Sequence, residues 1–267
     1  MTIDPTAAIH PSAIVAETVA IGSGCEIGPY CVVGPNVVLG PNVELKSHVV
    51  VEGDTVIGQG TKIWPFASIG HQPQDLKFGG EKSKLIIGER NQIRESVTMN
   101  PGTSGGGLVT RVGNDNLFMV NVHVGHDCQV GSGCVLANNV SLAGHVIVED
   151  NVVIGGHSGI HQFCRIGQGA MVGVLSAVLA DVIPYGTVTG DAATLGGLNL
   201  VGLKRRSTDK SQMHELRAVF KDLFGGGGTL KERASSIKTL RPENPLIQNL
   251  TEFIMADSDR SFCQPGS

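Results

Sequence analysis

Aromatic residues are scarce in this chain. Phe, Trp and Tyr make up 4% of its 267 residues, with a single Trp and two Tyr, which excludes a core built on large rings. Charge is sparse as well: Asp, Glu, Lys and Arg together reach 16%, for a net charge of −4. No apolar run attains the roughly 18 residues that a bilayer span requires. The N-terminal Met1-Thr2-Ile3-Asp4-Pro5-Thr6-Ala7 has no basic region followed by an apolar core, so it does not read as a secretory signal. A soluble cytoplasmic protein without membrane insertion is expected, and nucleic acid is not an expected partner.

What the chain holds in quantity is glycine, 37 residues, beside a 41% hydrophobic fraction that is largely Val, Ile and Leu. That mixture favours many short strands joined by tight turns over a helical bundle. The order of the residues is more telling. Every sixth position from Ile9 is aliphatic: Ile9, Val15, Ile21, Ile27, Val33, Leu39, Leu45, Val51, Ile57, Ile63, Ile69. The phase holds to Ile87, Ile93 and Met99, breaks, restarts at Val112 and runs to Val178. A sustained six-residue period means a parallel β-helix. Three hexapeptides make a triangular coil of about 18 residues, and coils stack at about 4.8 Å. Period alone does not set the hand; the general crossover rule favours right-handed connections.

Two segments interrupt the repeat. Residues 71–84 are a polar excursion that keeps the phase, and residues 100–111 are a Gly-rich one that shifts it by one residue; surface loops of this kind commonly carry function. Five of the six cysteines (Cys25, Cys31, Cys128, Cys134, Cys164) lie four residues after a repeat aliphatic. Other repeats place Val, Ala, Thr or Ser there, so these thiols read as small inward filler, reduced as in a cytosolic protein.

The expected architecture is an all-β parallel β-helix over residues 1–190 and a C-terminal α-helical domain over 191–267. Met213, Leu216, Phe220, Leu223 and Phe224 mark one face of a helix that ends at Gly225–Gly228. Thr229-x-x-Glu232 reads as a capping box, and Asn244-Pro245 as an N-cap with a first-turn proline. Such helices suit the open last coil of a repeat protein. Residues 203–241 hold ten Lys or Arg against four Asp or Glu, a basic end that either steers an acidic partner or is simply solvated.

Residues 18 apart should stack. His126, Gly144 and Gln162 then form one column, with Asp127, His145 and Asn199 in the next register and His123 and His161 close by. Gly156 and Val174 form a second column on a different edge, which meets the first most easily across a subunit interface. Imidazoles, an amide and a carboxylate on an outer edge suit general-base catalysis: a neutral imidazole takes a proton from an alcohol while the carboxylate orients it. An unobstructed N–H such as that of Gly144 suits an oxyanion. No Ser or Cys stands out as a nucleophile, so direct transfer is expected rather than a covalent acyl-enzyme. The bland alternative for His126-Asp127 is a polar pair on a turn. The chemical alternative is a zinc site of His123, His126 and His145 shared between chains.

Several stretches together carry a family resemblance: Leu45-Lys-Ser-His-Val-Val-Val51, Gln74-Asp-Leu-Lys77, Ile93-Arg-Glu-Ser-Val-Thr98, His123-x-x-His126-Asp-Cys128, Leu136-Ala-Asn-Asn139, Leu142-Ala-Gly-His-Val146, Ile160-His-Gln-Phe-Cys164 and Gly202-Leu-Lys-Arg-Arg206. From about His10 to Arg206 the sequence resembles the acyl-carrier-protein–UDP-N-acetylglucosamine O-acyltransferases of lipid A biosynthesis. The resemblance implies a left-handed helix, a homotrimer with active sites at subunit interfaces, and no resident cofactor or metal, the acyl donor being carried on the phosphopantetheine of acyl carrier protein.

By the same resemblance His126 is the base on the sugar 3-hydroxyl, Asp127 its orienting partner and Gly144 the oxyanion donor. Asp75, Lys77, His123, His145, His161, Gln162, Asn199 and Arg205 match substrate contacts. Gly156 and Val174 belong to the acyl groove, and Lys204, Arg205 and Arg206 to carrier-protein docking. Well-known members carry glycine where this chain has Val174, which implies a shorter preferred acyl chain. Related readings are a hexapeptide sugar-nucleotide N-acyltransferase, which carries an additional N-terminal domain, and an acetyl-CoA-dependent sugar acetyltransferase.

Overall fold

In the computed structural model, which describes residues 3–241 and 243–266, most hexapeptides become a two-residue strand followed by a four-residue corner. The strands form three flat parallel faces. The first runs from Ala8–Ile9 through Met171–Val172, the second from Ile14–Val15 to Ala177–Val178, and the third from Ala20–Ile21 to Arg165–Ile166. The coils wind left-handed. Coil on coil the register is direct: Leu117 pairs with Val135 and Val135 with Val153.

The repeat aliphatics point inward and are almost fully buried, Ile57, Ile63, Ile93, Leu136 and Ile154 among them. Each contributes about 1.5–3 kcal/mol relative to exposure. The cysteines after the repeat aliphatics are buried and free, as the small-filler reading expects. Their Sγ–H groups turn to corner carbonyls, for example Cys128 to Ala143 O at 3.1 Å.

From Gly24 onward most corners take a left-handed backbone at one residue per turn. At the corner between the second and third faces that residue is Asp127 (φ 59°), His145 (φ 62°) and Phe163 (φ 64°) in successive coils. Asp and His tolerate this region better than most non-glycine residues. One repeated turn thus projects chemically useful side chains in a vertical row.

Both interruptions leave from that same corner. Ser68 pairs with Thr98 and Thr98 with His123, so the surplus over one coil is looped out beside the row. The second excursion is shorter than the expected 100–111, because Val109–Val112 is already a strand paired with Lys84–Ile87. The loops are tied together: Asn100 Nδ2 donates to His71 O at 3.0 Å, and Gly102 N to Lys84 O at 3.3 Å.

After the last coil, Gly186–Thr189 pairs antiparallel with Thr194–Leu198. Helices α1 (Leu200–Arg205), α2 (Lys210–Gly225), α3 (Leu230–Leu240) and α4 (Pro245–Met255) follow. Met213, Leu216, Val219 and Leu223 form the buried face of α2. Thr229 and Glu232 make the reciprocal capping box of α3, and Asn244 caps α4 with Pro245 in its first turn. The tail then returns to the coils through bridges of Asp181 with Phe262 and Leu195 with Pro265. A buried ion pair secures this junction: Arg165 Nε meets Asp181 Oδ2 at 2.7 Å, and Ser258 Oγ donates to the same oxygen at 2.7 Å.

Candidate active site

His126 follows the second-face strand His123–Val124 and stands in the corner directly below Gly144. The approach is close: a Cβ on Gly144 would lie 2.5 Å from Cε1 and Nε2 of the His126 ring. Only a glycine lets the imidazole lie flat along the row. Among the described residues no group accepts from the Gly144 N–H, while the neighbouring His145 N donates to His126 O at 2.9 Å.

The ring is oriented from its other side. His126 Nδ1 lies 2.8 Å from Asp127 Oδ2. An ionised carboxylate only accepts, so Nδ1 carries the proton and Nε2 keeps its lone pair, an assignment made from the hydrogen-bond network. Asp127 is 1% exposed at its side chain and His126 11%. The carboxylate's burial is compensated by the second excursion: Thr103 N donates to Oδ1 at 2.9 Å and Thr103 Oγ1 to Oδ2 at 2.6 Å. Asp127 N in turn donates to Thr110 Oγ1 at 2.8 Å.

The other imidazoles surround this pair. His145 meets His126 edge to face at 5.0 Å between centroids and is itself stacked on Phe163 at 4.4 Å. Its Nε2 is 3.9 Å from Asp127 Oδ2. Burial lowers its pKa, against the pull of Asp127, and the charges of Asp75 and Lys77 reach it from the first excursion. His123 lies within 2.7 Å of Thr98 Oγ1 through Nδ1; burial, then the neighbouring His126, lowers its pKa. Gln74, His123, His126, Gly144, His161 and Gln162 line one groove of about 530 Å³.

One chain therefore gathers His123, His126, Asp127, Gly144, His145, His161 and Gln162, with Asp75 and Lys77 on the overhanging loop. The remaining candidates lie elsewhere. Asn199, placed by simple stacking in register with Asp127 and His145, is not there: Phe163 occupies the position above His145. Asn199 instead caps α1, its Nδ2 donating to Gly169 O at 3.0 Å and its Oδ1 accepting from Gly202 N. Stacking by 18 fails once the coils give way to the antiparallel pair. Asn199, Arg205 and Arg206 line a second cavity of about 510 Å³ with Val153 and Met171 of the first face. Lys204 lines a third with Lys210, His214 and Arg217. Gly156 and Val174 sit at the corner between the first and second faces, where Val174 is exposed.

Within one chain the three histidines of the zinc reading do not form a single cluster. The ligand-capable atoms that gather within 4.8 Å belong to His126, Asp127 and His145, not to His123. Asp127 Oδ2 already accepts from the Thr103 hydroxyl and lies 2.8 Å from His126 Nδ1. Thr98, Thr103, Thr110 and Phe163 were not singled out from the sequence. Phe163 lies one coil after His145 and Thr98 directly before a repeat aliphatic, so both are in the period; Thr103, in the looped-out segment, carries no periodic signal.

A parallel β-helix with this edge defines an acyltransferase of the hexapeptide-repeat class. A model of the bacterial transferase hexapeptide (six repeats) matches residues 110–144, and one described as Udp N-acetylglucosamine O-acyltransferase, domain 2, matches 181–263. A model of the GMPPB C-terminal domain matches 1–104. The acyl-[acyl-carrier-protein]–UDP-N-acetylglucosamine O-acyltransferase of Paracoccus denitrificans (strain Pd 1222) is 54% identical over 203 residues, 76% of this chain and 77% of the relative. A crystal structure of a UDP-N-acetylglucosamine acyltransferase aligns with a TM-score of 0.94 at 43% identity, covering 97% of this chain and 99% of that one. The Francisella novicida enzyme aligns at 0.88 with 39% identity, over 100% and 95%. The chain belongs to the acyl-[acyl-carrier-protein]–UDP-N-acetylglucosamine O-acyltransferase family.

Proposed function

We infer that this chain moves an (R)-3-hydroxyacyl group from acyl carrier protein to the 3-hydroxyl of UDP-N-acetylglucosamine, with His126 as general base. The observation that carries the mechanism is the Asp127–His126 hydrogen bond, which leaves Nε2 as the proton acceptor beside Gly144. Nε2 takes the proton of the sugar hydroxyl as its oxygen attacks the thioester carbonyl. The carbonyl becomes a tetrahedral oxyanion, received by the Gly144 N–H. On collapse the C–S bond breaks, and the imidazolium returns its proton to the departing pantetheine thiolate. No covalent enzyme intermediate and no resident cofactor or metal is needed.

The separation of the candidates supports a trimer. Gly156, Val174, Asn199 and Arg205 lie away from His126 within one chain, and an adjacent subunit brings such a surface to the groove. The exposed Lys204, Arg205 and Arg206 suit an acidic carrier protein. A cytoplasmic location suits these substrates. No helix among the described residues is long and apolar enough to cross a membrane.

The test is transfer from a panel of (R)-3-hydroxyacyl carrier proteins to UDP-N-acetylglucosamine, followed by mass spectrometry. A 3-O-acylated sugar nucleotide is expected; no acylated product with any donor contradicts the reading.

A further inference from the structure

The second excursion does more than pass beside the site. It closes over Asp127 from the side opposite His126. Gly102 and Gly106 lie so close to this carboxyl that a Cβ on either would run into it. Between them Thr103, itself 3% exposed, gives both its backbone N–H and its hydroxyl to the carboxylate, one to each oxygen. Oδ2 is thus shared by the Thr103 hydroxyl at 2.6 Å and His126 Nδ1 at 2.8 Å.

The strap is tethered in turn. Ser104 N donates to Glu81 Oε1 at 2.9 Å and Gly79 N to Glu81 Oε2 at 2.8 Å. One carboxylate therefore joins the loop carrying Asp75 and Lys77 to the residue next to Thr103. These backbone donors, that of Ser104 foremost, hold the Glu81 carboxyl below the usual range.

We propose that Thr103 is a positioning residue for the acyl transfer. It fixes the rotation of the Asp127 carboxylate, and through it the Nδ1-protonated tautomer and the aim of His126. Without the hydroxyl, a carboxylate held only by one N–H and the imidazole can rotate. Ring orientation set to a few tenths of an ångström is what a proton transfer of this kind requires. The proposal rests on His126 being the base.

Thr103→Val keeps shape and backbone donor while removing the hydroxyl; Thr103→Ser restores it. Expected for the valine variant is a kcat lower by about 10- to 100-fold, the range typical when the hydrogen-bond partner that orients a metal-ligating histidine is removed. KM for UDP-N-acetylglucosamine should be little changed, and the serine variant should recover most of the rate. The acid limb of kcat/KM should also move to higher pH in Thr103→Val. A carboxylate relieved of one donor offers more negative charge to the imidazole and favours imidazolium. A valine variant with wild-type kcat, a serine variant as impaired as valine, or an unmoved acid limb overturns the proposal. His126→Ala assayed alongside separates the two layers: if it keeps wild-type activity the base reading fails, whereas if it is inactive while Thr103→Val is normal, only the role of Thr103 fails.

Discussion

The His126 imidazole lies directly beneath Gly144 with no room for a side chain between them, a Cβ there falling 2.5 Å from Nε2. Gly144→Ala should push the ring off its line while leaving the coil intact. A misplacement of about 1 Å costs on the order of 10²-fold in rate, so kcat/KM should fall by about that factor. Steady-state kinetics with circular dichroism checks it; a fully active alanine variant would mean that this contact does not set the base.

The buried thiols give a second prediction. Burial pushes Cys128 and Cys164 up to about 12 and Cys134 up to about 11. Cys128 adjoins Asp127, yet it is a poor nucleophile, since the thiolate is the reactive form. Native protein should resist a thiol reagent at pH 8, and unfolding should release six reactive groups, the chain's full cysteine content. Rapid native labelling of Cys128 with loss of activity would reopen a covalent acyl-enzyme.

Acid should lower the stability of the fold through its buried imidazoles. His123 and His145 both have pKa values below the ordinary 6.5, chiefly through burial. Folded protein then binds fewer protons than unfolded protein as pH falls past 6.5, so stability present above that pH is lost on acidification toward the lowered values. Tm should decline from pH 7 to 5, and His123→Gln should flatten the decline. An identical slope in that variant would assign the proton uptake elsewhere.

Val174 bears on acyl length. It is exposed on one chain, and the trimeric reading sets it at the far end of the neighbour's groove. Val174→Gly should raise kcat/KM for long-chain over short-chain donors by about 10-fold or more, as expected for a few methylenes admitted to a pocket. An unchanged ratio would remove Val174 from the groove.

The repeat made the faces, the inward cysteines and the column of His126, Gly144 and Gln162 legible, because one rule of spacing governs every coil. The rule ends where the coils end. Asn199 leaves the stacked column for that reason, since an antiparallel pair intervenes before it and it caps α1. Thr103 is not legible for a related reason: the excursion carrying it adds residues outside the period, and only the folded loop reveals which of them returns to Asp127.

The central claim is proton abstraction by His126, and the rate of the chemical step in His126→Ala tests it most directly. With saturating UDP-N-acetylglucosamine and a hydroxyacyl carrier protein, single-turnover transfer should slow by about 10²- to 10⁴-fold relative to the unmodified enzyme, the range for losing a general base, with substrate binding retained. Transfer at the unmodified rate would contradict it and leave the Asp127–His126 pair a structural feature of the turn.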